Sequence, residues 1–162
     1  MSDNPAGVPN WTPPGWLNQT MTAMLKTPGL QRLVGRGTAL ITFTGRKSGR
    51  RITTPVSYVE RDDRILITGH RTRQWWRNLL VDPKVEIRLA GKVRNGLASV
   101  MDDPDNALAD FLALLEAQPV VAKISGVPID DQGRVDPSKA REVLGHTVVV
   151  SIKLEEEDSR QE

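Results

Sequence analysis

The stretch Leu40–Pro55, LITFTGRKSGRRITTP, decides how this chain is read. A β-rich run meets Gly45-Arg46-Lys47-Ser48-Gly49, and a second β-rich run begins at Arg51. The pattern predicts a tight hairpin whose connection is glycine-flanked and strongly basic. Glycine permits positive φ and close backbone approach. Arg46, Lys47 and Ser48 gather two cations, a hydroxyl and exposed amides in one small concavity, which suits a phosphate or carboxylate. A turn that only reverses the chain needs no such charge. It is not a P-loop, because that motif ends in Gly-Lys-Ser/Thr before a helix and here a strand follows.

Outward from the hairpin, the pattern predicts strands Thr38–Thr44 and Arg51–Val59, with Pro55 marking an edge or a bulge. Arg61-Asp62-Asp63 turns into a third strand, Arg64–Thr68. Gln74–Leu80 reads as a short helix stopped by Asp82-Pro83, and Lys84–Leu89 and Lys92–Met101 as strands around Ala90-Gly91. Asp102-Asp103-Pro104-Asp105 opens a helix, since acids and proline favour the first turn, and Leu108, Phe111, Leu112 and Leu115 give it an apolar face. Val120–Ser125 adds a helical turn, Ser138–Leu144 a short helix and Thr147–Leu154 a last strand. Hairpin-linked strands with few short helices make a mainly β, α+β chain folded as a small antiparallel barrel. Residues 1–15 read as a flexible arm, 16–154 as one domain and 155–162 as a disordered acidic tail. Trp16–Val34 has helical apolar spacing broken near Pro28-Gly29, suiting either core packing or an amphipathic surface element that touches a membrane peripherally.

The 162 residues include no cysteine and two histidines, His70 and His146. That leaves no disulfide, no thiolate metal site and no cysteine nucleophile, and no bound metal is expected. No apolar run approaches the roughly 20 residues of a membrane span, so a cytoplasmic protein is expected. Net charge is +2 but unevenly spread: residues 1–100 hold 16 Lys+Arg against 6 Asp+Glu, and 101–162 hold 6 against 14. Arg46, Lys47, Arg50, Arg51, Arg61, Arg64, Arg71, Arg73 and Arg77 concentrate the positive charge, as an anionic ligand or a nucleic-acid backbone would require. Arg61 and Arg64 are read instead as solvated hairpin ends. Few aromatics fall on the strands, which argues against base stacking and a nucleic-acid partner.

The second informative segment is Gly69–Asn78, GHRTRQWWRN. A strand ends at Gly69, and His70, Arg71 and Arg73 precede adjacent tryptophans. On a helix Trp75 and Trp76 point about 100° apart, so one can pack on the barrel while the other lines a cleft. A tryptophan, two arginines and a histidine there can stack on and hydrogen-bond a planar anionic heterocycle.

GRKSG, then TTP five residues after Ser48, then WWRNLLVDP resembles the deazaflavin-dependent nitroreductase family, actinobacterial oxidoreductases that use coenzyme F420. The similarity covers about Met24 to Ser99. It implies a split β-barrel of the flavin-binding pyridoxamine-phosphate-oxidase type. It implies cofactor contacts at Arg46, Lys47 and Ser48, at Ile52, Thr53, Thr54 and Pro55, at Thr68, Gly69, His70 and Arg71, and at Gln74, Trp75, Trp76, Arg77 and Asn78. The phosphate and polyglutamate tail of F420 match the basic half of the chain; FMN is the alternative cofactor. Departures exist: family members often carry Ser-Lys-Gly-Gly where this chain has His70-Arg71, and Tyr58 is the only tyrosine.

The resemblance implies hydride transfer from reduced F420 to a small hydrophobic electron acceptor such as a quinone, nitro compound or enone. His70 is the candidate donor of a proton or hydrogen bond, since an unperturbed imidazole titrates near 6.5. A monomer or homodimer is expected. The rival reading is a non-catalytic barrel that carries F420, a flavin or a lipid.

Overall fold

The computed structural model describes residues 37–156. The expected arm, the Trp16–Val34 helix and the tail beyond Glu156 lie outside them. Six strands close an antiparallel barrel in the order β1-β2-β3-β6-β5-β4. They are β1 (Thr38–Thr44), β2 (Arg51–Arg61), β3 (Arg64–His70), β4 (Lys84–Leu89), β5 (Lys92–Met101) and β6 (Thr147–Leu154). The helices are α1 (Trp75–Leu79), α2 (Pro104–Ala117), α3 (Pro119–Ile124) and α4 (Pro137–Leu144).

Period-two alternation sorts the strand residues into two cores. Ile41, Phe43, Ile65, Ile67, Ile87, Val148, Val150 and Ile152 fill the barrel. Leu66 and Val149 point the other way, onto Ala107, Phe111, Leu114, Leu115, Ala140 and Leu144 of α2 and α4. Burial on both faces explains why β3 and β6 read as nearly unbroken apolar runs. Asp103 caps α2 by accepting the Asp105 N–H at 2.9 Å, and Pro104 takes the first helical position, where its missing N–H costs nothing. On α2, Asp110 pairs with both Arg61 (3.2 Å) and Arg64 (3.5 Å), so those two cations tie the hairpin end to the helix rather than standing as free solvated charges.

β2 and β3 part company at one end. Their pairing runs only from Tyr58↔Ile67 to Arg61↔Arg64, whereas β3 stays paired with β6 as far as His70↔Thr147. Among the described residues Arg51–Ser57 is therefore held by β1 alone, leaving an edge without a described partner that faces Thr68–His70. Pro55 lies in that open stretch, where a residue without an N–H removes nothing from a ladder. This is the split in the barrel. It opens at the end that carries the basic connection and α1.

Candidate active site

The basic connection is longer than a tight hairpin. Thr44↔Arg51 is the last strand pair, so Gly45–Arg50 forms a six-residue loop. It is folded on itself: Gly45 N–H donates to Arg50 O and Gly49 N–H to Gly45 O, both at 2.8 Å. The Ser48 hydroxyl accepts the Arg50 N–H at 3.2 Å. The two glycines have different tasks. Gly49 sits at φ +67°, whereas Gly45 is buried and a Cβ on it would lie 2.8 Å from Ser48 Oγ and 3.0 Å from Ile52 Cδ1.

Helix α1 docks this loop. Asn78 Oδ1 accepts the backbone N–H of Arg46 at 2.8 Å, while Asn78 Nδ2 donates to Trp75 O at 2.9 Å. Gln74 Oε1 accepts from the guanidiniums of both Arg46 and Arg77 at 3.3 Å. Two cations thus share one neutral oxygen. Among the described residues Arg46, Lys47, Arg50, Arg73 and Arg77 have no acidic partner, although Arg51 pairs with Glu86 at 3.5 Å. Exposed cations at such spacing repel one another unless an anion lies among them. Gln74 and Asn78 consequently hold the loop rather than offer free polar atoms to a ligand. For Asn78→Leu, which removes the bond to the Arg46 N–H together with those that Nδ2 donates to Trp75 O and Gln74 O, F420 affinity is expected to fall about tenfold, the size of one or two hydrogen bonds; calorimetric titration checks it.

The two tryptophans separate as helical geometry requires. Trp76 is 5% exposed and belongs to the barrel core, with Arg77 over its ring at 5.2 Å. It is a core residue, which corrects its expected place beside a cofactor. Trp75 is half-buried, 6.2 Å from Phe43 between ring centroids, and its indole lies against Gly69. A Cβ at Gly69 would stand 3.0 Å from Trp75 Cζ2, so only glycine lets the indole approach the strand so closely.

Arg71 also differs from expectation. Its guanidinium donates to Asp102 O and, at 3.4 Å, to Leu144 O, tying β3 to the starts of α2 and β6. Those carbonyls engage its Nε and Nη2, so Arg71 serves the fold where a cofactor contact was expected. On β2 the alternation divides the expected contacts: Thr53 and Pro55 share the outer face, where Thr53 Oγ1 meets Thr42 Oγ1 at 2.9 Å, while Ile52 and Thr54 lie on the face of the buried Val56. Thr68 and Gly69 are half-buried and His70 is exposed at the end of β3. Burial, with Glu60 contributing less, pushes the Tyr58 phenol above its ordinary value. Tyr58 stays protonated near neutrality and is no base. Among the described residues no cluster of histidine and carboxylate could hold a metal.

Among the described residues the split is thus bounded by cations without acidic partners at its mouth, an indole laid on glycine beside it, and strand edges left unpaired on either side. This donor set suits a molecule that is flat at one end and anionic at the other. A family model for F420H2-dependent quinone reductases matches residues 17–123, well over half of the chain. The chain belongs to the F420H2-dependent quinone reductase family.

Membership makes it an F420-dependent oxidoreductase, with coenzyme F420 as its cofactor. Two solved structures with TM-scores of 0.53 and 0.50 agree on the fold. The heme storage protein HutZ of Vibrio cholerae is 14% identical with a TM-score of 0.53, over 80% of this chain and 90% of that one. An FAD-binding protein of Mesorhizobium loti is 12% identical with a TM-score of 0.50, over 85% of this chain and 87% of that one. An F420-H2-dependent reductase, FDR-A, is 21% identical with a TM-score of 0.46, over 74% of this chain and 95% of that one. No curated protein sequence matches.

Proposed function

We propose that this F420-dependent oxidoreductase reduces quinones, and with them nitro compounds and enones, at the split of the barrel. The observation that carries the reading is the docked basic loop: a set of cations without acidic partners among the described residues, fixed by Asn78 and Gln74 beside Trp75. Arg46, Lys47 and Arg77 hold the phosphate and acidic tail of the cofactor, with the Ser48 turn shaping the loop beneath. Trp75 and the open edges of Thr53–Pro55 and Thr68–Gly69 flank its ring. Reduced F420 supplies the hydride. The chain supplies position, a wall that excludes water from one side, and His70 as a donor to the acceptor oxygen.

Acceptor identity belongs to this proposal. A lipophilic quinone would be met at a membrane surface, and the segment expected to make that contact, 16–34, lies outside the described residues. No described helix is long and apolar enough to cross a membrane.

Mixing the purified protein with reduced F420 and then with a water-soluble quinone, a nitroarene or an enone tests the reading. Catalytic return of oxidised deazaflavin absorbance with the quinone is expected. Tight binding with no turnover on any of the three acceptors would establish a carrier instead.

A further inference from the structure

Reduction of a quinone carbonyl is helped either by a general acid, which gives up its proton, or by a neutral donor, which only hydrogen-bonds the oxygen as negative charge develops there. The surroundings of His70 discriminate between the two. Its Nδ1 lies 3.3 Å from the backbone N–H of Thr72 and 2.7 Å from Thr72 Oγ1. A backbone amide can only donate, so its bond needs the Nδ1 lone pair; the Thr72 hydroxyl, which can donate or accept, is free to donate to the same lone pair, and together they favour the tautomer with the ring proton on Nε2. The main chain is fixed as well: His70 pairs with Thr147 across the sheet, and its carbonyl accepts the Arg73 N–H at 3.0 Å. Among the described residues Nε2 has no hydrogen-bond partner and stays free for a ligand.

We propose that Thr72 is a positioning residue, which holds His70 as a neutral imidazole with Nε2–H directed to the acceptor oxygen. This deepens the function proposed above and rests on it. Loss of the Nε2 proton from an imidazolium would leave the remaining proton on Nδ1, facing the Thr72 amide, and the bond from that amide would be lost even though the Thr72 hydroxyl could accept the proton. His70 therefore donates a hydrogen bond and keeps its proton. Water supplies the proton that completes the hydroquinone after hydride transfer. The ionisable groups nearby are Arg71 and Arg73 in the same turn, with His146 and Asp102 on the segments that Arg71 bonds.

The test combines spectroscopy of the cofactor-free protein with kinetics. The chain has two histidines, so His146→Gln assigns the ring nitrogen-15 spectrum at once. At a pH where the ring is neutral, His70 should show a protonated Nε2 and an unprotonated Nδ1, and Thr72→Val should mix the tautomers. In kinetics, Thr72→Val should lower kcat about tenfold, one hydrogen bond's worth, with KM for reduced F420 unchanged and Thr72→Ser restoring it. His70→Gln, which keeps a neutral N–H donor, should retain more activity than His70→Ala, and Thr72→Val should cost nothing further in that background. Turnover should also persist above the pH at which His70 loses its charge.

A protonated Nδ1, additive losses in the double variant, or turnover that disappears as His70 becomes neutral would each overturn the proposal. Wild-type kcat in both His70 variants would remove His70 and Thr72 together. The F420 reading would survive that result, because binding of F420 is measured separately.

Discussion

Reversing Arg46 and Lys47 together to glutamate lowers F420 affinity about a hundredfold or more at low ionic strength, since charged hydrogen bonds contribute roughly 1.5–3 kcal/mol each and reversal adds repulsion. The effect is large because the loop is preorganised. Its own amides close the turn, Asn78 fixes the Arg46 backbone, and Gln74 steers the Arg46 guanidinium. No loop-ordering cost is then left to offset binding. Titration calorimetry in low salt checks the value, and the wild-type affinity should fall toward that of the variant as salt rises. The double variant Arg134→Glu with Lys139→Glu makes the same change of net charge away from the split, at cations already paired with Asp130 and Glu142. It should bind like wild type. Equal losses in both variants would reduce the loop to a diffuse surface potential.

Replacing His70 by alanine should cost ten- to a hundredfold in kcat while F420 affinity stays within about twofold; loss of a preorganised oxyanion donor typically costs about a hundred- to a thousandfold, and an exposed donor such as His70 should cost less. The separation follows from placement. His70 ends β3 beside Gly69, which carries the Trp75 contact, but it does not belong to the loop that Asn78 and Gln74 hold. It is exposed and contacts only its own turn through Nδ1, so alanine leaves both cores intact. Stopped-flow oxidation of reduced F420 by a soluble quinone reads the effect directly. An unchanged rate removes His70 from the reaction.

Most of the barrel was legible because its signals are local. β1, β4, β5 and β6 run where alternation and turn residues place them. β2 and β3 run two residues further than expected. Arg61 and His70 look like turn residues, yet each is paired in the sheet, Arg61 with Arg64 and His70 with Thr147. The basic loop and the divergence of the two indoles were likewise readable, from composition and from helical geometry.

What escaped the sequence depends on partners far along the chain. Arg71 counts as a cation in any tally of charge, but its carbonyl acceptors lie 31 and 73 residues away. Asn78 resembles a ligand contact until the Arg46 N–H, 32 residues earlier, is found against its Oδ1. Thr72 carries no signal in the sequence because its significance arises only when the turn folds back on the imidazole. The break between β2 and β3 was hinted at by Pro55, but its extent is set by where two registers stop.

Quenching of tryptophan fluorescence by oxidised F420 and by FMN, in low-salt buffer with wild type and Trp75→Phe in parallel, addresses the central claim. Saturable quenching by F420 that weakens with salt, is far weaker with FMN and mostly disappears in Trp75→Phe is the expected result. Wild-type protein whose emission and heat of mixing stay unaltered on adding F420 would contradict an anion-gripping loop beside that indole.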